Sequence, residues 1–255
     1  MGLNSFSPHD YDSKEKMNHI NADTVELCLT YRCNNRCNNC STLCSQAPAT
    51  NDLSMERIQK FILESVDCNH KWKTITLHGG EPTLHPRFQD VCEILMRYKR
   101  DSNPECNIWV VSNGYGDRVT EGLEIAKAAG VGLGISYKQK ANINAEGVWM
   151  QYVPMNNSAL DNGQNPTDGC AMASDCGVCL NNLGYFQCSA KAAMARVFYI
   201  DPVDTNLQTF LHKIIAGNVQ WNCGHCGFAW EQPRSINQIT SPTWAKALER
   251  YRNNA

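Results

Sequence analysis

The chain predicts an α/β protein: an open, partial (β/α) barrel of about five to six parallel strands, with a small cysteine-rich module at its C-terminal end. Three observations carry this. Short apolar runs rich in strand formers alternate with helical periodicities between residues 23 and 138, which is the signature of βαβ units. Unusual polar motifs follow immediately after each of those apolar runs. Beyond residue 155 the character changes to polar turns and closely spaced cysteines.

The elements follow in order. "DTVELCLTY" (23–31) alternates as a first strand. "LSMERIQKFILESV" (53–66) is a helix capped by Ser54, with Ile58, Phe61 and Ile62 at helical spacing. "KTITLHGG" (73–80) is a second strand ending in glycines, and "PRFQDVCEILMRYKR" (86–100) a helix with Pro86 near its first turn. "NIWVVSNGYG" (107–116), "TEGLEIAKAAG" (120–130) and "VGLGISYK" (131–138) read as strand, Gly130-closed helix and strand. A fifth strand is expected at "GVWMQYV" (147–153), a hairpin with its turn at 182–184 in "CGVCLNNLGYFQC" (176–188), a short helix at 205–214, and a last helix at 242–252 capped by Ser241. The organisation is a polar extension (1–22), the barrel (23–158), the cysteine-rich module (159–230) and a tail (231–255).

At 255 residues with 42% hydrophobic content, the chain buries a sizeable core without needing disulfides. A net charge of −2, from 23 basic and 25 acidic residues, offers no electrostatic case for nucleic acid or an anionic membrane. No apolar run approaches a bilayer span, and the first 22 residues lack the apolar centre of a secretion signal, so a cytoplasmic protein is expected.

Fourteen cysteines remain to be explained. They are grouped at 28–44, 170–188 and 223/226, while Cys68, Cys92 and Cys106 stand alone as core residues. Close grouping without a secretion signal favours metal over disulfide. In the first group, Cys33, Cys37 and Cys40 form C-x3-C-x2-C on one loop with no adjacent histidine. Structural zinc prefers two ligand pairs, whereas three thiolates suit an iron–sulfur cubane with one iron left open.

C-x3-C-x2-C after a first strand resembles the signature of the radical S-adenosylmethionine (SAM) enzymes. The "GGEP" at 79–82, the "SNG" at 112–114 and "SYK" at 136–138 agree with it in order and spacing. The resemblance covers residues 24–138 and implies a [4Fe–4S] cluster on Cys33, Cys37 and Cys40, with SAM as co-substrate. It places Gly79, Gly80, Glu81 and Pro82 at the SAM amino group, Ser112 and Asn113 at the ribose, and Ser136 and Lys138 at the carboxylate. It implies a flavodoxin- or ferredoxin-type electron donor. Asn39 departs from it, standing where the family usually has an aromatic residue that covers adenine.

The later cysteines resemble the auxiliary-cluster modules called SPASM and twitch. The favoured ligands of one auxiliary [4Fe–4S] cluster are Cys170, Cys188, Cys223 and Cys226, with Cys176 as a substitute for one of the distal pair. Three residues separate Gly184 from Cys188, where those modules usually have four. A zinc ribbon on 176/179 and 223/226 is the alternative. The expected activity is hydrogen abstraction from a peptide or small metabolite, followed by oxidation, cross-linking or dehydrogenation. An epimerase using Cys176 or Cys179 as hydrogen donor, and a non-catalytic zinc module that binds a partner, are the other readings. His78 is expected as a hydrogen-bonded strand-end residue, and Arg196 as a contact to a substrate carboxylate or a surface ion pair.

Overall fold

The computed structural model describes residues 19–136, 153–167, 169–233 and 235–254. Strand β1 (Thr24–Thr30) leads through the cysteine loop to helix α1 (Met55–Asp67), then β2 (Thr74–Gly79), α2 (Phe88–Ser102), β3 (Asn107–Ser112), α3 (Asp117–Ala129) and β4 (Gly132–Ile135). There follow α4 (Ala171–Asp175), β5 (Val178–Leu180), β6 (Tyr185–Phe186), α5 (Ser189–Phe198), α6 (Leu207–Ile215) and α7 (Pro242–Asn254).

All six strands form one sheet in the order β4-β3-β2-β1-β5-β6, parallel throughout except for the antiparallel β5–β6 hairpin. This is the mixed α/β, mostly parallel sheet expected of a partial barrel. The hairpin expected at 176–188 exists, and it does more than stand beside the barrel. Its strand β5 pairs with β1, Val25 opposite Val178 and Leu27 opposite Leu180, so the cysteine-rich segment continues the barrel sheet. The strand expected at 147–153 falls, but for its last residue, outside the described residues.

Alternation assigns the two faces. Val25, Leu27, Leu29, Ile75, Leu77, Ile108 and Val110 are fully or nearly fully buried and share a core with Ile58 and Phe61 of α1 and Val91 and Leu95 of α2. Ser54 caps α1 by accepting from Arg57 N at 3.2 Å, and Gly130 closes α3 in a left-handed conformation at φ 87°. The opposite, inner face carries Glu26, Cys28, Thr76, His78, Trp109 and Val111.

Helix α5 has no counterpart among the expected elements. Its sequence "SAKAAMARVF" is almost wholly buried, so polar–apolar alternation gives no signal, although alanine is the best helix former. Ala192 and Ala195 pack with Cys28 and Cys179, and the lack of bulk there lets the helix approach the inner face. Among the described residues no helix is long and apolar enough to cross a membrane.

Candidate SAM and iron–sulfur sites

The motifs singled out along the chain converge at the C-terminal ends of β1 to β4, where open α/β sheets place their chemistry. Backbone bonds draw the loops together. Gly80 N donates to Thr30 O at 2.7 Å, Glu81 N to Arg32 O at 2.8 Å, and Ser136 N to Ser112 O at 2.8 Å. The glycine pair is what allows this approach: a Cβ on Gly79 would lie 2.3 Å from Thr30 O, and one on Gly80 2.2 Å from Arg32 O.

Glu81 is fully buried and joins two motifs. Its Oε1 accepts from Thr83 Oγ1 at 2.8 Å, and its Oε2 accepts from Asn113 N at 2.8 Å. Asn113 in turn donates to Asn34 Oδ1 at 2.8 Å, within the cysteine loop, and its Nδ2 stands 3.9 Å from Cys33 Sγ. Ser112 Oγ accepts from Gly114 N at 3.1 Å and shapes the turn after β3. Pro82 is buried at the start of a short 3-10 turn, Pro82–Leu84. Ser136 is half-buried beside this group, and Lys138 lies outside the described residues.

Cys33, Cys37 and Cys40 are all half-buried on the one loop. Burial pushes the Cys33 thiol up to about 11, Asn35 N opposes this with a hydrogen bond, and the proximity of Cys40, Glu81 and Cys37 adds to it. Ionising three such thiols together requires a cation among them, so the donor set fits an iron–sulfur cluster. Cys44, buried behind the loop, is raised first by its hydrogen bond with Cys40 and then by burial.

Asn39 is explained by its partners. It adopts a left-handed φ of 53°, which asparagine tolerates. Its Nδ2 donates to Ser235 O and Asn237 O, both at 2.9 Å, and its Oδ1 accepts from Ile239 N at 3.2 Å. An aromatic residue there would lose all three bonds to the tail. Arg196 meets neither a surface acid nor open space. Its guanidinium lies 3.5 Å over the Tyr31 ring and donates to Ala47 O and Thr42 O at 3.0 and 3.1 Å, clamping the far side of the cysteine loop.

The second group is also assembled. Cys188 is raised by burial first and then by Cys170 and Cys223. Cys226 is raised by burial and by Cys170, Cys223 and Cys188, so all four thiols are electrostatic neighbours. Two of them stand at helix starts. Cys188 caps α5 and accepts from Lys191 N at 3.4 Å, while Cys170 stands at the N-cap position of the short α4, where Ala173 N donates to its carbonyl oxygen at 3.0 Å. Cys176 is raised by burial first, then by the Glu26 carboxylate and by Cys188, Asp175 and Cys170, so it neighbours the same thiols and differs in also standing near Glu26. Cys179 is fully buried among Cys28, Phe186 and α5.

Lys191 escaped the sequence reading, although a lysine inside an alanine run is a visible anomaly. It is 4% exposed, and its Nζ donates to Trp221 O and Asn222 O at 3.2 and 3.3 Å; burial lowers its pKa, and Cys223, Cys188 and Cys226 oppose that. Among the described residues it makes no carboxylate ion pair, so the thiols are its charge complement. Among the described residues no three His, Cys, Asp or Glu side chains are gathered closely enough for a single metal ion. Cubane ligands are held on separate irons and need no such gathering. A cavity of about 660 Å³ opens beside Cys223, walled by Leu160, Phe198, Trp221 and His225, and lies apart from the SAM motifs.

His85 closes the short 3-10 turn after β2, with Nε2 on Leu53 O at 3.0 Å and Nδ1 accepting from Arg87 N at 3.1 Å. His78, at the strand end, faces the inner surface, and among the described residues its Nε2 has no hydrogen-bond partner.

Residues 27–138 match the family described as the radical SAM superfamily. The chain therefore carries a radical SAM domain, which implies an enzyme of SAM-cleaving radical chemistry with a [4Fe–4S] cluster. A search for relatives among curated proteins finds no match. Among solved structures, BtrN in complex with AdoMet and 2-DOIA resembles the chain at 13% identity and a TM-score of 0.51, covering 83% of this chain and 92% of that one. BtrN in an open conformation follows at 14% identity and a TM-score of 0.47, covering 80% and 87%. The anSMEcpe structure with bound AdoMet and the Cp18Cys peptide matches at 16% identity and a TM-score of 0.30, covering 44% and 41%. The likeness to the first is one of fold.

Proposed function

We propose that this protein is a radical SAM oxidoreductase that abstracts hydrogen from a small metabolite or peptide, with an auxiliary [4Fe–4S] cluster on Cys170, Cys188, Cys223 and Cys226. When bound, the SAM-ligating cluster supplies the one-electron cleavage that generates a 5′-deoxyadenosyl radical. Cys33, Cys37 and Cys40 hold that cluster. The N–H groups of Gly80 and Glu81 are engaged by the cysteine loop, so the turn offers an ammonium its carbonyls, while the buried Glu81 carboxylate fixes the turn through Thr83 and Asn113. The family resemblance assigns Ser112 and Asn113 to the ribose, and Ser136 together with Lys138, which lies outside the described residues, to the SAM carboxylate. A flavodoxin or ferredoxin is the electron donor.

The observation that supports the auxiliary site is the buried Lys191 beside four electrostatically neighbouring thiols, one of which, Cys188, caps the α5 N-terminus. Four thiolates on a [4Fe–4S] core carry net negative charge, which an unpaired buried ammonium offsets. Zinc on the 176/179 pair would use Cys176 and Cys179, which lie against Glu26 and α5 instead. An epimerase using Cys176 as hydrogen donor is the second reading, favoured by the position of that thiol near the inner-face Glu26.

Anaerobic reconstitution tests the proposal. About eight irons per chain, and 5′-deoxyadenosine on reduction with SAM, are expected. Replacing Cys33, Cys37 and Cys40 with alanine abolishes SAM cleavage and leaves about four irons. Cys188→Ala removes the other four. About two zincs and no SAM cleavage would overturn the reading.

A further inference from the structure

Strand register places the inner-face residues in two layers. Glu26 on β1 stands beside Thr76 on β2, Thr76 beside Trp109 on β3, and Trp109 beside Gly132 on β4. One layer nearer the SAM loops, Cys28 stands beside His78, and His78 directly precedes Gly79. On the β1 side this face is covered by α5; on the β3 side it opens, with Trp109 at 36% and Val111 at 43% exposed. A Cβ on Gly132 would lie 2.8 Å from the indole, so the glycine lets the Trp109 ring rest against the sheet.

Two atoms in this polar patch are orphaned. Glu26 Oε2 and His78 Nε2 are both shielded from solvent, and among the described residues both lack a hydrogen-bond partner. They face each other at 4.0 Å, beyond hydrogen-bonding range. Buried polar atoms left this way are costly, and a pair of them aimed at one gap implies a third group between them. An oxygen about 2.8 Å from each atom closes a triangle over that gap. With the proton on Nε2 the carboxylate accepts and the imidazole N–H donates, so the group that satisfies both must itself donate and accept. A hydroxyl does this, whether of water in the free protein or of a bound ligand; an ammonium then satisfies only the carboxylate.

We infer that Glu26 and His78 anchor a hydroxyl of a polyhydroxylated, ring-sized small-molecule substrate on the inner face of the sheet, with Trp109 as the platform for its C–H face. The inference rests on the preceding assignment of the strand ends to SAM, because only then does the anchored ring lie next to the radical. Of the two substrate classes, peptide and small metabolite, it selects the latter.

The test is direct binding of myo-inositol to the anaerobically reconstituted protein, read by saturation-transfer NMR and by the side-chain ¹⁵N signal of His78. Cyclohexylamine is the ammonium-bearing comparison. The wild type is expected to bind myo-inositol in preference to cyclohexylamine and to shift the His78 Nε2 signal. Glu26→Gln and His78→Leu are each expected to weaken binding about tenfold, the loss of one buried hydrogen bond. Glu93→Gln, at an exposed position on α2, is the control and binds as wild type. Thermal unfolding and iron content of each variant separate misfolding from lost contact. Preferential binding of cyclohexylamine, unchanged affinity in both folded variants, or no myo-inositol binding by a protein that cleaves SAM would each overturn the inference. If myo-inositol binds through the pair but SAM is not cleaved, the anchor stands and the radical SAM reading fails.

Discussion

Gly80→Ala is the smallest perturbation that should separate the two halves of the SAM site. The added methyl would sit 2.2 Å from Arg32 O and 3.1 Å from Cys44 Sγ. A comfortable C···O contact is about 3.3 Å, so one backbone must retreat by about 1 Å. That movement stretches the 2.8 Å bond from Glu81 N to Arg32 O past its useful range, and the Gly80 N bond to Thr30 O with it. Two buried backbone bonds at roughly 1 to 1.5 kcal/mol each, plus residual strain, come to about 2–4 kcal/mol. For a chain of this size that lowers the unfolding midpoint by about 5–12 °C. Arg32 adjoins Cys33, and metal-ligand geometry tolerates only about 0.2 Å. Anaerobically reconstituted Gly80→Ala should therefore lose iron toward about four per chain and lose 5′-deoxyadenosine formation, while the auxiliary cluster stays. Full iron, full SAM cleavage and a midpoint within about 2 °C of wild type would refute the idea that this close approach sets the cysteine loop.

Further outcomes follow from the same contacts. Asn39→Ala removes three hydrogen bonds to 235–239 and should cost about 2–3 kcal/mol in urea unfolding, with faster proteolysis of the tail. Cys176→Ala should retain all the auxiliary iron, unlike Cys188→Ala; lost iron would bring Cys176 back as a ligand. Lys191→Met should shift the auxiliary-cluster potential downward in a redox titration, since a buried positive charge favours the reduced, more negative state. Burial lowers the pKa of His70 and His85, so the folded protein keeps both neutral more strongly than the unfolded chain does. The unfolded chain then binds more protons, and stability present above the unfolded histidine value of about 6.5 is lost as pH falls through the folded values. Replacing His85 with glutamine should flatten that slope in urea midpoints taken from pH 7 to 5.

What the sequence made legible was what repeats or punctuates. Strand and helix periods, Ser54, Gly130 and the hairpin turn at 182–184 each leave a local trace, and the structure agrees with them. The convergence of "GGEP", "SNG" and the cysteine loop was legible because each follows a strand. Illegible was whatever depends on a distant partner. Helix α5 is buried on nearly all sides, so it shows no amphipathic period. Asn39 looks like a missing aromatic until residues 235–239 are brought against it. The spacing after Gly184 gives no sign of what holds Cys188, which is its capping of α5. Glu26 in "VELCL" was a visible anomaly, a carboxylate inside an apolar strand, but only register with β2 reveals that His78 faces it.

Helix α5 gives the two cysteine sites a common frame. At its first turn Cys188 and Lys191 stand among the later thiols; at its last turn Arg196 grips Thr42 O and Ala47 O in the first cysteine loop. Eight residues of α-helix separate Cys188 from Arg196, about 12 Å. Between them Ala192 and Ala195 rest on Cys28 and Cys179, which belong to the paired strands β1 and β5. The helix is thus fixed at both ends and along its middle to the strand that launches Cys33, Cys37 and Cys40. A hinge between barrel and module would have to break the β1–β5 pairing and the Arg196 clamp together. The geometry therefore favours a fixed separation between the two sites over a swinging carrier.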